Sequence, residues 1–121
     1  MRLKNLAALH SGYRKAQNGG QFAQSAMPMS LSIEPTTSCN LRCPECPSGL
    51  RSFSRPTGML EPEQLDRLLQ EIGGYLVYAN LYFQGEPYLH PAMDHLVALC
   101  KQHGIYTSTS TNAHFLRPER A

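Results

Sequence analysis

Three cysteines close together are the residues of this sequence best suited to chemistry. Cys39, Cys43 and Cys46 lie within eight residues in the spacing C-x3-C-x2-C. Thiolates prefer zinc, copper(I) and iron–sulfur clusters to hard cations, so this loop predicts a soft-metal centre. A structural zinc site and a cubane cluster each take four ligands. Three cysteines therefore predict either a fourth ligand from elsewhere in the chain or one metal position left open.

Other uses of the three thiols stay open at this point. A disulfide would leave one of the three cysteines unpaired. A closed zinc site would need one further ligand, and Cys100 and His103 stand one helical turn apart. The candidates for that ligand are Cys100 and the five histidines, His10, His90, His95, His103 and His114. With such a ligand the chain would be a non-catalytic zinc or iron–sulfur binding module.

Two further short motifs follow the cysteine loop, each at the end of a predicted strand. They are Gly85-Glu86-Pro87 and Thr111-Asn112-Ala113. With the cysteine loop, they resemble the radical S-adenosylmethionine (radical SAM) enzymes, in which G-E-P ends the second strand and T-N-G often ends the third. Ala113 stands where that pattern has glycine. The segment 32–49 is similar to the peptide-modifying maturases of this family, which carry a C-terminal SPASM cluster domain, and the resemblance spans residues 29–117.

The resemblance implies an enzyme that uses a 4Fe–4S cluster and S-adenosyl-L-methionine. Cys39, Cys43 and Cys46 would each ligate one iron, and the fourth iron would bind S-adenosylmethionine through its amino and carboxylate groups. A one-electron donor such as flavodoxin or ferredoxin would then drive cleavage to methionine and a 5′-deoxyadenosyl radical, which abstracts hydrogen from the substrate. The substrate would be a peptide, a protein or a small molecule. The cofactors supply this chemistry and the protein positions them.

The same resemblance gives roles to the two short motifs. Gly85, Glu86 and Pro87 would meet the amino group of the cofactor, through the backbone and the Glu86 carboxylate. Thr111 and Asn112 would line the cofactor pocket. The alternative interpretation is a pair of solvated turns at the ends of strands.

Four residues near these motifs need separate interpretation. Glu45 stands where many family members carry an aromatic residue that packs near the adenine, and a carboxylate cannot stack in that way. Arg51 and Arg55 would offset cluster charge, bind a substrate carboxylate or simply be solvated. Cys100 lies on the apolar face of a predicted helix, which favours a place in the core.

The elements that must position these residues alternate between strand and helix. Met29, Leu31 and Ile33 alternate with serines, which predicts a strand that Pro35 ends. The elements predicted after it are a helix from Pro62 to Gly73-Gly74, a buried strand over 75–83, a helix from near Pro91 to Gly104, a strand over 105–110 and a helix opening at Pro118. Helical crossovers of this length join parallel strands. We therefore predict an α/β fold, a partial parallel (β/α) barrel of about three βα units.

Composition limits the other classes of function. The chain has 121 residues, 41% of them hydrophobic, and a net charge of +2. Its apolar runs are too short for a membrane span, and we find no secretory signal, so clustered free cysteines predict a reducing, cytoplasmic setting. Residues 1–33 carry four basic and no acidic residues. Such a basic segment could touch a membrane or nucleic acid, but we favour a solvated helix packed on the domain edge, with no nucleic-acid partner.

The number of elements bears on domain organisation. We expect a basic helical leader with its loop over 1–28, and the N-terminal half of a radical SAM core over 29–121. That family uses six strand–helix units in an open barrel, and this sequence supplies three. We therefore expect a truncated product, an inactive fragment, or one piece of a protein that a C-terminal half or a partner chain completes. The last strand would then present an unpaired edge.

Overall fold

Three short parallel strands form the sheet that carries the cysteine loop. The computed structural model describes residues 1–21 and 26–118. Within these ranges the helices are α1 (Arg2–Gln17), α2 (Pro47–Leu50), α3 (Pro62–Ile72) and α4 (Met93–Gln102), and the strands are β1 (Ser30–Ser32), β2 (Tyr78–Asn80) and β3 (Tyr106–Ser108). Strand β2 lies between β1 and β3 and is parallel to both. This confirms the prediction of an α/β fold built as a partial parallel barrel.

One face of the sheet forms the hydrophobic core with α3 and α4. The register places Leu31, Ala79 and Thr107 in one row across the sheet, and Ala79 is fully buried. The core residues come from both helices and from the segments around β2 and β3: Leu65, Leu69, Leu76, Ala79, Leu81, Met93, Leu96, Leu99, Cys100 and Ile105. Because the strands are parallel, their carboxyl ends meet at one edge, where the predicted motifs begin.

The helix boundaries follow the sequence signals closely. Pro62 occupies the first turn of α3, and Glu61 and Gln64 form a capping box around its start. Gly104, just after α4, has a φ of 63°. Glycine adopts this left-handed conformation without a Cβ clash, which lets the chain reverse into β3. The helices predicted from Pro62 and from near Pro91 are thereby confirmed.

The second and third strands are shorter than predicted. The chain leaving α3 makes a turn first, since the Tyr75 amide donates to the Ile72 carbonyl at 2.9 Å. The prediction that 75–83 is buried throughout is wrong, because Val77 is 42% and Phe83 70% exposed. Aromatic and β-branched composition indicated strand here but could not separate the covered side of the sheet from the open one. The described part of the chain ends at Pro118, so the helix predicted to open there lies outside it.

Polar contacts hold α1 against the rest of the domain. Leu3 and Leu6 are 83% and 49% exposed, which agrees with the predicted solvated helix packed on the domain edge. Arg2 donates from Nε to the Leu76 carbonyl at 2.7 Å and from its guanidinium to the His103 carbonyl. Asn5 is buried and exchanges two hydrogen bonds with the backbone of Met27. The domain boundary near residue 28 stays a prediction.

The longest described helix, α1, has 16 residues. Within residues 1–21 and 26–118, no helix combines the length and the apolar character that crossing a bilayer requires.

Candidate metal and cofactor site

The first half of the cysteine loop is fixed to the segment that precedes α3. Pro35 and Thr36 are buried, and the Pro35 carbonyl accepts a hydrogen bond from the Leu60 amide at 2.9 Å. The Thr37 amide and hydroxyl both donate to the Gly58 carbonyl, at 3.1 and 3.2 Å. These hydrogen bonds fix residues 35–37, just before Cys39, to the rest of the domain, because their buried backbone groups are paired with those of residues 58–60.

The second half of the loop folds back on itself through α2, which was not predicted. The Cys46 amide donates to the Cys43 carbonyl at 3.2 Å, and the Leu50 amide donates to the Cys46 carbonyl at 2.9 Å. Gly49 lies against the backbone of Cys43, where an added Cβ would stand 2.5 Å from the Cys43 nitrogen. The short helix therefore needs glycine at this position to close the loop.

All four cysteines are free thiols, in two different environments. Cys39 and Cys46 are half-buried and Cys43 is exposed, whereas Cys100 is fully buried in the core. The backbone N–H groups of Gly49 and then Ser48 lower the pKa of the Cys46 thiol, and burial only partly opposes them. Burial raises the pKa of Cys100. The lowered pKa thus belongs to a cysteine of the loop, Cys46, and Cys100 has the core position that its helix face predicted.

The chemistry of the loop fits an iron–sulfur cluster. Its donors are three free thiols in one solvent-accessible loop, the ligand class that such clusters take. Over residues 1–21 and 26–118, no three His, Cys, Asp or Glu side chains converge closely enough to hold a single metal ion. A cubane does not require the three sulfur atoms to converge on one metal ion, because each cysteine would bind a different iron.

His90, one candidate for a fourth zinc ligand, already has partners for both ring nitrogens. It is 2% exposed. Its Nε2 lies 2.8 Å from the Leu60 carbonyl oxygen, and its Nδ1 accepts from the Ala92 amide at 3.1 Å. The ring thereby links the start of α4 to the segment before α3, and it is a structural histidine.

Gly85 brings the end of β2 onto the cysteine loop. It has a φ of 83°, and its amide donates to the Ser48 hydroxyl at 2.9 Å. A Cβ at this position would lie 2.2 Å from the Thr36 carbonyl oxygen and 2.8 Å from that of Ser38. Only glycine permits this close approach of the two backbone segments. Ser48 is buried here and had no sequence signal, because serine in a loop has no distinguishing pattern.

The carboxylate of Glu86 joins the ends of β2 and β3. The residue is 2% exposed, and its Oε1 accepts from the Tyr88 amide at 3.0 Å and from the Thr111 hydroxyl at 2.6 Å. Its Oε2 accepts from the Asn112 amide at 2.8 Å. Pro87, also buried, begins a single 3₁₀ turn over Pro87–Leu89. The predicted contact between the Glu86 carboxylate and the cofactor stays a prediction, and both oxygens already have partners.

Asn112 extends these contacts to the cysteine loop. Its Nδ2 donates to Oδ1 of Asn40 at 2.8 Å, and its Oδ1 accepts from the His114 amide at 3.1 Å. Asn40 lies between Cys39 and Cys43, and its own Nδ2 is 3.3 Å from Nδ1 of His114. The three segments singled out in the sequence therefore meet at one edge of the sheet. The contact through Asn40 was not predicted.

A cavity of about 540 Å³ opens beside Cys39. Its walls include Ser38, Cys39, Ser48, Arg51, Phe53 and Arg55. Arg55 forms an ion pair with Glu34 at 2.6 Å and lies over the Phe53 ring, 4.8 Å from its centre. The side chain of Arg55 is 44% exposed, but these two contacts hold it in place. Arg51 and Glu45 are also exposed.

Comparison with known proteins identifies the family of this chain. Residues 33–121 match the model of the Radical SAM superfamily. The chain therefore belongs to the radical SAM superfamily, a superfamily of enzymes.

Individual relatives lie among its peptide-modifying members. The chain is 29% identical over 105 residues to the PqqA peptide cyclase of Rhodopseudomonas palustris, a match covering 86% of this chain and 28% of that protein. It is 32% identical over 85 residues to the PqqA peptide cyclase of Methylorubrum extorquens strain PA1, covering 70% and 22%. The match thus covers about a quarter of the length of these curated relatives.

Solved structures share the fold. BtrN in complex with AdoMet and 2-DOIA superposes with a TM-score of 0.69 at 23% identity, over 78% of this chain and 39% of BtrN. Streptococcus suis SuiB bound to the precursor peptide SuiA superposes with a TM-score of 0.63 at 20% identity, over 92% of this chain and 24% of SuiB. The partial barrel is therefore a fold that this chain shares with part of BtrN and part of SuiB.

Proposed function

We propose that this chain holds a 4Fe–4S cluster through Cys39, Cys43 and Cys46 and binds S-adenosylmethionine at the iron that these cysteines leave open. One observation carries the proposal: the cysteine loop and the two motif segments are in direct contact. The Glu86 amide donates to the Ser38 carbonyl at 2.8 Å, and the Asn112 side chain reaches Asn40 at 2.8 Å. Three distant parts of the sequence thus build one site.

The residues of the chain would divide the work of binding and orientation. The three cysteines bind iron as thiolates, and the N–H groups of Ser48 and Gly49 favour that state at Cys46. We assign the cofactor's amino group to the backbone of residues 85–87, since the Glu86 carboxylate is already engaged. Thr111 and Asn112 would border the cofactor pocket. An electron donor such as flavodoxin or ferredoxin would supply the electron with which the cluster cleaves S-adenosylmethionine to methionine and a 5′-deoxyadenosyl radical.

We propose a peptide or protein as the substrate from which hydrogen is abstracted. The support is the similarity to two PqqA peptide cyclases and the fold shared with SuiB, which was solved with a precursor peptide. The cavity beside Cys39, with Arg51 in its wall, would suit an acidic side chain or a carboxylate of such a peptide.

Anaerobic reconstitution with iron and sulfide tests the proposal. The wild-type chain should turn brown, with iron and sulfide near the content of one cubane, and should form 5′-deoxyadenosine when reduced with S-adenosylmethionine. Cys39→Ala, Cys43→Ala and Cys46→Ala should each lose the cluster. Cys100→Ala is the matched control and should keep it, because Cys100 lies in the core.

Three results would contradict the proposal. Colourless protein that retains one zinc would indicate a non-catalytic zinc module. Wild-type chain that stays folded after reconstitution but holds neither iron nor zinc would indicate an inactive relative. Iron loss in Cys100→Ala equal to that in the loop variants would overturn the choice of ligands.

A further inference from the structure

Hydrogen bonds connect Glu86 to the cysteine loop on both sides of Cys39, directly on one side and through Asn112 on the other. Its backbone amide donates to the carbonyl of Ser38, the residue before Cys39, at 2.8 Å. Its side-chain Oε2 holds the amide of Asn112, whose Nδ2 in turn donates to Oδ1 of Asn40, the residue after Cys39. Both distances in this second route are 2.8 Å. One buried residue thus connects, directly and through one partner, to the two neighbours of the same cysteine.

We infer that Glu86 and Asn112 are positioning residues that fix Cys39, the first thiol of the proposed cluster site, in its place. The inference rests on the proposed function, because the position of Cys39 matters only if the residue binds a cluster. The hydrogen bonds from which it is argued are contacts within the chain itself. It gives the Glu86 carboxylate a task other than the cofactor contact that its motif implied.

The burial of Glu86 and the number of hydrogen bonds that its carboxylate accepts support this role. Glu86 is 2% exposed and its carboxylate accepts three hydrogen bonds, from Tyr88, Thr111 and Asn112. A buried carboxylate needs such donors, because an unpaired charge away from water is costly. These donors fix its orientation, so the amide of Asn112 is held at a set distance from the sheet. The side chain of Asn112 is then aimed at Asn40.

The arrangement also ties the site to the core. Glu86 follows β2, and Thr111 and Asn112 follow β3, so the carboxylate joins two strand ends before it reaches the loop. Asn40 itself is exposed, and without a hydrogen-bond partner this part of the cysteine loop would move freely. Through Asn112, the position of an exposed loop is set by a buried residue.

The test uses three variants and one matched control. Asn112→Ala and Asn40→Ala each remove the hydrogen bond between these two side chains, and each also removes a different contact with His114. The double variant loses the shared bond only once. Glu86→Gln replaces one acceptor oxygen with a donor that faces an N–H group. Thr109→Val is the control: the Thr109 hydroxyl joins β3 to β2 by donating to the Leu81 carbonyl at 3.0 Å, but it makes no contact with the cysteine loop.

The first readout is alkylation of Cys39 relative to Cys43 in the folded, cluster-free chain, with backbone hydrogen exchange over residues 38–46. We expect both to rise by roughly fivefold or more in Asn112→Ala and Asn40→Ala, since loss of the shared hydrogen bond alone accounts for about fivefold. The double variant should rise by less than the product of the two single-variant increases, because the shared hydrogen bond is lost only once. Glu86→Gln should rise at least as much, and Thr109→Val should match wild type. Unchanged Cys39 reactivity in both asparagine variants, or additive effects in the double variant, would overturn the inference.

The second readout separates positioning from general stability. In the reconstituted protein, the asparagine variants should alter the electron paramagnetic resonance spectrum of the reduced cluster and release iron to a chelator faster, whereas Thr109→Val should change neither. If the wild type binds no cluster while Cys39 reactivity still rises in the variants, the proposed function fails and the positioning role stands. Wild-type spectra and iron release in both asparagine variants would overturn the positioning role.

Discussion

Gly49 lies so close to Cys43 that a Cβ on the glycine would stand 2.5 Å from both the nitrogen and the carbonyl oxygen of the cysteine. These are backbone atoms, so no side-chain rotation can relieve the contact. The segment that closes the cysteine loop is therefore limited to glycine at this point, and the limit gives a direct test of the loop.

Gly49→Ala should displace the middle of the cysteine loop and weaken iron binding. Gly58→Ala is the matched control, because an added Cβ there meets nothing within 4 Å. We expect Gly49→Ala to reconstitute with less than half the iron of wild type, and Gly58→Ala to equal wild type. Iron content after anaerobic reconstitution measures the difference. Equal iron in the two variants would show that the loop closes without this contact.

Gly85→Ala should cost more stability than the same change at another glycine of positive φ. Gly19, with a φ of 77°, has nothing within 4 Å of an added Cβ, so Gly19→Ala measures the backbone cost alone, about 1–2 kcal/mol. Gly85, with a φ of 83°, adds a contact of 2.2 Å with the Thr36 carbonyl. The urea midpoints of the two variants give the comparison, and a Gly85→Ala loss no larger than that of Gly19→Ala would contradict it.

Ala113→Gly should stabilise the chain. Ala113 has a φ of 65°, in the left-handed region that alanine adopts at a cost of about 1–2 kcal/mol. Glycine removes this cost, although its greater freedom in the unfolded chain takes back part of the gain. We expect a net rise in the free energy of unfolding of about 0.5–1 kcal/mol from urea titration. A lower midpoint than wild type would mean that the Ala113 methyl group contributes packing that outweighs the strain.

Cys46 should ionise at a lower pH in the folded chain than in the unfolded one. The N–H groups of Gly49 and Ser48 stabilise its thiolate and lower its pKa, so the thiolate persists at more acidic pH. The pH at which alkylation of Cys46 reaches half its plateau, mapped by mass spectrometry in cluster-free protein, should therefore fall on folding. Cys100, whose pKa burial raises, serves as internal control and should stay unreacted until urea unfolds the chain. Equal midpoints for Cys46 with and without urea would contradict the prediction.

Local signals in the sequence were sufficient for the order of the three strands and of helices α1, α3 and α4, but not for the short helix α2. Pro62 and the leucines at Leu65 and Leu69 predicted α3 because a helix start and a covered helix face both depend on near neighbours in the chain. Strand lengths were harder, since Val77 and Phe83 have the residue types of a buried strand and still face solvent. Exposure depends on what else covers the sheet, which residue type does not encode.

The cysteine spacing, the G-E-P motif and the T-N-A motif determined the chemistry expected of this chain, because ligand type and backbone freedom are properties of single residues. The tertiary structure alone decided how those segments meet. Glu86, Asn112 and Asn40 are far apart in sequence and form one route of hydrogen bonds only because parallel strands end at the same edge of the sheet. Ser48 belongs to the site for the same reason, because its hydroxyl accepts a hydrogen bond from the Gly85 amide in the segment that follows β2.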